Sequence, residues 1–155
     1  MPKLTAANIF IEKALRGEPM TPYKHTQYRP MLYVDIEDIC RALNSFSKII
    51  LTNTIQERTV KILNLVSPYP VTIIELAKII RGKVIKLTKG KITPRINVVD
   101  KGIESVYSAK DKNLFRVDVS RAREFLGLDK LIHPEESIDR ILRARIASNR
   151  LFKQS

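Results

Sequence analysis

The apolar residues of this chain recur at helical spacing in five segments. The first holds Ile9, Phe10, Ile11, Ala14 and Leu15 and stops before a glycine, which predicts a helix with a glycine at its end. A second segment follows Asp35, a good N-cap residue with a further aspartate three positions on. Its apolar stripe predicts a helix with one face in a core, at Ile36, Ile39, Cys40, Leu43 and Phe46.

Three more helices are predicted in the second half of the chain. Thr72 and Glu75 have the spacing of a capping box, ahead of an inward stripe at Ile73, Leu76, Ala77 and Ile80. Asp118 is expected to cap a short helix that ends at Gly127. A last helix should begin near Pro134, with His133 as its cap, and run to about Phe152, with Ile138, Ile141, Leu142 and Ile146 as its apolar positions.

Short runs rich in β-branched residues predict strands between these helices, at residues 31–34, 60–66 and 83–88. Residues 89–113 are irregular and charged, so we expect a loop there with at most one short strand. The predicted order is helix, strand, helix, strand, helix, strand, helix, helix. This order indicates an α/β fold with a small mixed or partly parallel sheet and flanking helices.

Composition limits the class of protein. The 155 residues and 44% apolar content suit one domain over residues 1–155, and a net charge of +12 favours an anionic ligand. One cysteine and two histidines exclude an internal disulfide and disfavour a structural metal. We expect a cytoplasmic protein without a membrane segment, because no apolar run approaches about 20 residues and the first residues lack a signal-peptide pattern.

Two motifs of nucleotide-dependent redox enzymes are absent from the sequence. The five glycines are scattered, so no Rossmann fingerprint or P-loop is present. None of the five tyrosines is followed four residues later by a lysine. We therefore assign no catalytic residue in this chain.

Three pairs of short sequence motifs nevertheless follow one another along the chain in an order that is found in one protein family. The first combines Arg-Gly-Glu-Pro-Met with Tyr-Arg-Pro-Met-Leu-Tyr-Val-Asp-Ile-Glu-Asp, at residues 16–20 and 28–38. The second combines Asn-Leu-Val-Ser with Pro-Val-Thr-Ile-Ile-Glu-Leu-Ala, at residues 64–67 and 70–77. The third combines Asp-Val-Ser-Arg-Ala with Phe-Leu-Gly-Leu, at residues 118–122 and 125–128. Together they resemble the carboxy-terminal half of the extended short-chain dehydrogenase/reductase family, the nucleotide-sugar epimerases and dehydratases.

The resemblance implies a substrate-binding lobe similar to that of UDP-glucose 4-epimerase. In this family the amino-terminal half is a Rossmann domain that holds NAD and a Tyr-x-x-x-Lys pair, and residues 1–155 resemble none of it. The implied ligand is a nucleotide-sugar such as UDP-glucose, and no cofactor is expected on this chain alone. The chain is then either part of a longer enzyme or completed by a Rossmann-domain partner chain. A homo-oligomer is the other assembly considered.

The same resemblance assigns residues to the site. Arg29 matches the family's diphosphate-binding arginine, and a guanidinium can donate two parallel hydrogen bonds to phosphate. Lys110 is the cation nearest to a second family arginine position, beside Asp111. Tyr23 and Tyr28 border the loop expected near the base, and Asn64 lies where the family strand ends near the cofactor. For the two tyrosines loop packing is favoured over stacking on a base, and for Asn64 a turn is an equally open alternative.

Basic residues concentrate in two further stretches, which raise an alternative function. Residues 76–99 contain seven lysines and arginines and no acidic residue, and a second basic run lies on the last predicted helix. A small nucleic-acid or anion-binding module would have this charge. The stretches lack interleaved aromatic residues, so we favour solvated basic surfaces and do not expect a nucleic-acid partner.

Overall fold

The computed structural model describes residues 5–52 and 62–152. These residues form six α-helices and two short strands, with a turn of 3₁₀-helix at Lys24–Thr26. The elements in chain order are α1 (Ala6–Leu15), β1 (Pro30–Met31), α2 (Ile36–Leu51), β2 (Val71–Thr72), α3 (Ile73–Leu87), α4 (Asp111–Leu114), α5 (Ser120–Leu126) and α6 (Pro134–Phe152).

Helices α1, α3 and α6 enclose the larger core, where α3 packs against both of the others. Its fully buried side chains include Ile11, Leu76, Ile80, Val84 and Leu142. The predicted capping box of α3 is confirmed, because the Glu75 N–H donates to Thr72 Oγ1 at 3.3 Å and the Thr72 N–H donates to Glu75 Oε2 at 2.9 Å. Two of the four orphan donors at the helix start are thus satisfied.

The predicted α/β class with a small sheet and flanking helices is confirmed. The sheet itself has two antiparallel strands, with Pro30 opposite Thr72 and Met31 opposite Val71. Parallel pairing occurs as two isolated bridges, Met20 with Ile96 and Tyr23 with Val99. The strand predicted at residues 31–34 is shorter than expected, because pairing stops at Met31.

A smaller core lies between α2 and α5. Its buried members are Ala42, Val119, Leu126, Leu128 and Leu131. The N-cap of α5 is Val119 and not the predicted Asp118, which accepts a hydrogen bond from the Ser120 N–H at 2.9 Å just ahead of the helix. Gly127 ends α5 in the left-handed conformation with φ of 62°, as predicted.

Buried aspartates at the start of α2 hold this helix to the rest of the chain. Asp35 caps α2 by accepting from the Glu37 N–H at 2.9 Å, as predicted, and it also binds Ser137 and Arg140 of α6. Asp38 Oδ2 accepts from the Ile132 N–H at 2.8 Å instead of completing a capping box. Two carboxylates therefore join α2 to the carboxy-terminal part of the fold.

The prediction that the α2 stripe faces a core is wrong. Ile36 is 68% exposed, Leu43 is 61% exposed, and Phe46 and Cys40 are also exposed. Helix α2 buries its opposite side through Asp38 and Ala42, because α5 covers only that side. Cys40 is therefore a surface thiol and not the core residue that the stripe predicted.

Two of the predicted strands are also wrong. Residues 83–88 lie in α3 and beyond its end, because the buried row Leu76, Ile80 and Val84 keeps helical spacing through this stretch. Residues 62–66 form no strand, and residues 60 and 61 of the same prediction lie outside the described residues. A β-type run needs a neighbouring strand to pair with, and the described part of the chain provides none for residues 62–66.

Candidate functional site

Two loops meet at the amino-terminal turn of α3. The first loop, residues 20–29, is bonded to this turn where the Ile74 N–H donates to the Gln27 carbonyl at 3.0 Å. The second loop, residues 95–112, is bonded to it where Lys112 Nζ lies 2.7 Å from Glu75 Oε1. We call these two loops and the α3 turn the loop cluster.

Backbone hydrogen bonds align the two loops. Met20 of the first loop pairs with two residues of the second loop. Its N–H donates to the Arg95 carbonyl, and its carbonyl accepts from the Asn97 N–H, each at 2.9 Å. The Lys24 N–H donates to the Val99 carbonyl, also at 2.9 Å. Further along, Ser105 Oγ donates to the His25 carbonyl at 3.2 Å. The loop cluster is therefore a fixed framework built by backbone pairing.

Tyr23 presents an aromatic surface at this framework. It is exposed and stacks on His25, with ring centroids 5.7 Å apart and planes inclined by 14°. Lys101 Nζ lies 5.7 Å from the Tyr23 ring centroid, within cation–π distance. His25 is half-buried, and its Nδ1 atom is buried without a hydrogen-bond partner among the described residues. His25 is therefore packed into the loop cluster and is not a fully solvated side chain.

Arg29 lies at the end of the first loop, two residues after the bond that joins Gln27 to α3. Its N–H donates to the Thr26 carbonyl at 2.9 Å, which closes the turn after the 3₁₀-helix. The side chain is exposed, and within residues 5–52 and 62–152 its guanidinium has no ion pair or hydrogen bond. Tyr28 beside it is half-buried. Arg29 thus offers a charge and a donor fork that the described residues leave unpaired.

Lys110 belongs to the second loop, immediately before α4. It is exposed, and no described residue pairs with its ammonium group. Asp111 accepts from the Ser108 N–H and hydroxyl, each at 2.8 Å, and these bonds hold the pKa of Asp111 below its usual value. Lys112 carries the bond to Glu75. Lys110 therefore lies two positions before Lys112, and Arg29 lies two positions after Gln27, where Lys112 and Gln27 are the residues that bond the two loops to the α3 turn.

Glu75 connects helix capping to the second loop. Burial alone would raise its pKa, but the hydrogen bonds from Lys112 and from the Thr72 N–H outweigh burial and hold the pKa of this carboxyl low. Oε2 caps α3 while Oε1 binds Lys112. The carboxylate is therefore charged at neutral pH and fully occupied by its own chain.

Asn64 lies apart from these residues. It is exposed in residues 62–66, and no described contact joins it to the loop cluster. Ser67, the residue that follows this segment, is bonded just beyond the end of β1, where its N–H donates to the Tyr33 carbonyl at 2.7 Å. Tyr23, Tyr28 and Arg29 thus lie on the first loop and Lys110 on the second, whereas Asn64 has no described contact with either loop.

Sequence reasoning missed the residues that build this framework. His25, Lys101 and Lys112 carry no motif, and each acts through a neighbour distant in sequence. The acid-free charge pattern of residues 76–99 gave no indication that Glu75 pairs with Lys112. By contrast His133 is confirmed as a cap of α6, because its Nδ1 accepts from the Glu135 N–H at 3.2 Å.

The described residues show neither a metal centre nor a membrane span. They contain no group of three histidine, cysteine or acidic side chains that could hold a metal ion. Nor does any helix in the described ranges have the length and apolarity needed to cross a bilayer.

Burial raises the pKa of Tyr33 to about 12, so this phenol stays protonated at neutral pH.

Comparison with solved structures identifies proteins of the same fold. An epimerase of the methanogen Methanothermobacter thermautotrophicus matches 98% of this chain with a TM-score of 0.63 and 18% identity. The UDP-glucose 4-epimerase of Thermotoga maritima, solved with UDP-glucose, matches 94% with a TM-score of 0.59 and 20% identity. The enzyme WbmF of Bordetella bronchiseptica, solved with NADH, matches 97% with a TM-score of 0.61 and 16% identity.

These matches confirm, at the level of the fold, the resemblance carried by the three sequence stretches. The chain spans about 40% of the length of each of these proteins, 40%, 40% and 39% respectively. No protein-family model matches the sequence. No curated protein matches it either. The chain therefore has the fold of a part of nucleotide-sugar epimerases.

Proposed function

We propose that this chain is the nucleotide-sugar-binding part of an NAD-dependent epimerase-type enzyme. The observation that carries the proposal is the exposed guanidinium of Arg29, which no described residue pairs with, at the end of the first loop in a fold shared with an epimerase solved with UDP-glucose. Arg29 neutralises the diphosphate, and Lys110 adds a second positive charge without a bidentate fork. Tyr23 and Tyr28 lie beside the base.

The contribution of such a part is positioning. Hydride transfer needs a nicotinamide next to the sugar carbon, and the enzyme WbmF, which shares the fold, was solved with NADH. This chain has neither a glycine fingerprint nor a Tyr-x-x-x-Lys pair. The redox chemistry is therefore supplied by residues outside this sequence, in a Rossmann-type domain of the same or another chain, and Asn64 lies toward that domain. The complete enzyme works in the cytoplasm.

The exposed apolar stripe of α2 supports the presence of such a Rossmann-type domain, packed against this chain. Ile36, Leu43 and Phe46 are 68%, 61% and 41% exposed, and the last two line a groove together with apolar side chains of residues 62–65. Contiguous apolar surface of this kind marks an interaction site in soluble proteins. A domain that covers the roughly 60% of epimerase length outside the matched 40% fits this surface.

Calorimetric titration with UDP-glucose, UDP and uridine tests the assignment. We expect saturable binding of the two diphosphates, and Arg29→Ala should weaken it by about tenfold or more, since hydrogen bonds to charged groups are worth about 1.5–3 kcal/mol. Any uridine binding should not change, because uridine has no phosphate. Arg116→Ala, which removes another exposed arginine, is the matched control. Equal affinities of wild type and Arg29→Ala for UDP would refute the role of Arg29.

A further inference from the structure

The helical structure of residues 83–87 places the basic residues of this stretch differently from the predicted strand. Lys83 points to α6, where Nζ lies 3.0 Å from Glu135 Oε1 and 3.7 Å from Asp139 Oδ1. The remaining cations of the stretch are exposed, and none has an acidic partner in the described part of the chain. We call these six residues the basic face: Lys78, Arg81, Lys86, Lys89, Lys91 and Arg95.

Helical spacing accounts for the relative position of two of these cations on α3, and Lys86 also lines a cavity shared with Glu136 and Asp139 of α6. Lys78, Gly82 and Lys86 are spaced by four residues and so lie in one row that is about 12 Å long, at 1.5 Å per residue. Arg81 borders this row, and its Nε donates to the Pro94 carbonyl at 3.1 Å, which brings residues 94 and 95 to the helix. Gly82 has no side chain and no atom within 4 Å of a built Cβ. A long anion can therefore approach the row closely.

We propose that the basic face binds the phosphate backbone of a nucleic-acid duplex without reading its sequence. A duplex carries one negative charge about every 1.7 Å along its axis, so the row on α3 spans several phosphates. The sequence alone disfavoured a nucleic-acid partner because residues 76–99 contain no aromatic residue, but that absence removes base stacking with a single strand and leaves contacts to a duplex backbone open. Backbone contacts alone therefore favour a duplex over a single strand.

The burial of α3 argues against a membrane surface as the partner. An interfacial membrane helix needs its own apolar face free for insertion between lipids. The apolar face of α3 is occupied, because Leu76, Ala77, Ile80 and Val84 are fully buried in the larger core. Anionic vesicles consequently serve as a contrasting ligand in the test.

Fluorescence anisotropy with a short labelled DNA duplex of mixed sequence tests the proposal. If four of the six cations contact phosphates, log K falls with log salt at a slope of about −3.6, which weakens binding about 150-fold between about 50 and 200 mM salt. The triple variant Lys78→Gln, Lys86→Gln, Lys89→Gln should flatten the slope by about 2.7. Arg81 is left unchanged because it holds the Pro94 carbonyl.

The matched control is the triple variant Lys48→Gln, Arg116→Gln, Arg121→Gln, which removes the same charge from exposed sites elsewhere. Duplex binding should change far less in this control than in the basic-face variant. Equal losses in both variants would attribute binding to net charge and overturn the proposal. So would the absence of duplex binding at low salt, tighter binding of the single strand, or preference for phosphatidylserine vesicles. UDP titration of the basic-face variant should be unchanged, so this proposal and the nucleotide-sugar proposal can fail separately.

Discussion

The carboxylate of Asp35 should be one of the most sensitive single positions for stability. It is buried, caps α2 and accepts hydrogen bonds from Ser137 and Arg140 of α6. Asp35→Ala removes an N-cap worth about 1 kcal/mol. It also leaves the Ser137 hydroxyl without its acceptor, at a cost of about 1–2 kcal/mol. The expected loss is therefore about 2–3 kcal/mol of the free energy of unfolding, with no share assigned to the solvent-exposed Arg140.

Asp35→Asn separates the cap from the charge. Asparagine caps a helix about as well as aspartate, so this variant should lose only about 1 kcal/mol at neutral pH. Burial raises the pKa of Asp35, but the bonds from Arg140, Ser137 and the Glu37 N–H outweigh burial and hold the pKa below 3.8. A lowered folded-state pKa stabilises the protein above the unfolded-state pKa. The gap between wild type and Asp35→Asn should therefore close as the pH falls below 3.8 through the folded-state pKa.

Urea unfolding followed by far-ultraviolet circular dichroism measures both variants, with equal m-values as the condition for comparing them. Asp118→Asn is the matched control, because Asp118 also accepts a backbone N–H at 2.9 Å but is exposed and has no partner on another element. It should change stability little. The reasoning is refuted if Asp35→Ala is no less stable than this control, or if the gap of Asp35→Asn does not depend on acid pH.

Two further variants test local features of the fold. Gly127→Ala should destabilise by about 1 kcal/mol because φ is 62°, whereas Gly82→Ala, in the interior of α3 with open space around it, should stabilise by about 0.5–1 kcal/mol. Thermal unfolding of the pair should shift in opposite directions, and a shift in the same direction would contradict the backbone argument. Leu43→Glu with Phe46→Glu should lower the fluorescence of a hydrophobic dye bound to the isolated chain, since both side chains lie on the exposed stripe. Unchanged fluorescence would show that dye binding does not depend on this stripe.

The sequence predicted the elements whose signals are local. The capping box of α3, the cap at Asp35 and the left-handed Gly127 each depend on residues within a few positions, and all three are present. The error at residues 83–88 has a physical cause, because Val84 and Ile85 suit both periods. The preceding buried positions Leu76 and Ile80 have helical spacing with Val84, so the helix continues through this stretch.

Predictions failed where the outcome depends on what covers a surface. The α2 stripe has correct helical spacing, but spacing gives no information about the presence of a packing partner. Cys40 was misplaced for the same reason. In the candidate site, Arg29 and Lys110 came from the family resemblance, whereas the pairing of Lys112 with Glu75 depends on contacts 37 residues apart and was not predictable from either residue.

The double use of Glu75 has a consequence for any ligand of the loop cluster. One oxygen of this carboxylate accepts the capping hydrogen bond at the start of α3, and the other accepts a hydrogen bond from the Lys112 ammonium of the second loop. An anion that attracts Lys112 must compete with an internal counterion, and the carboxylate that it leaves behind repels the same anion. The ammonium of Lys112 is therefore already neutralised within the protein, and an anion at the loop cluster gains less from it than from the exposed Arg29 and Lys110.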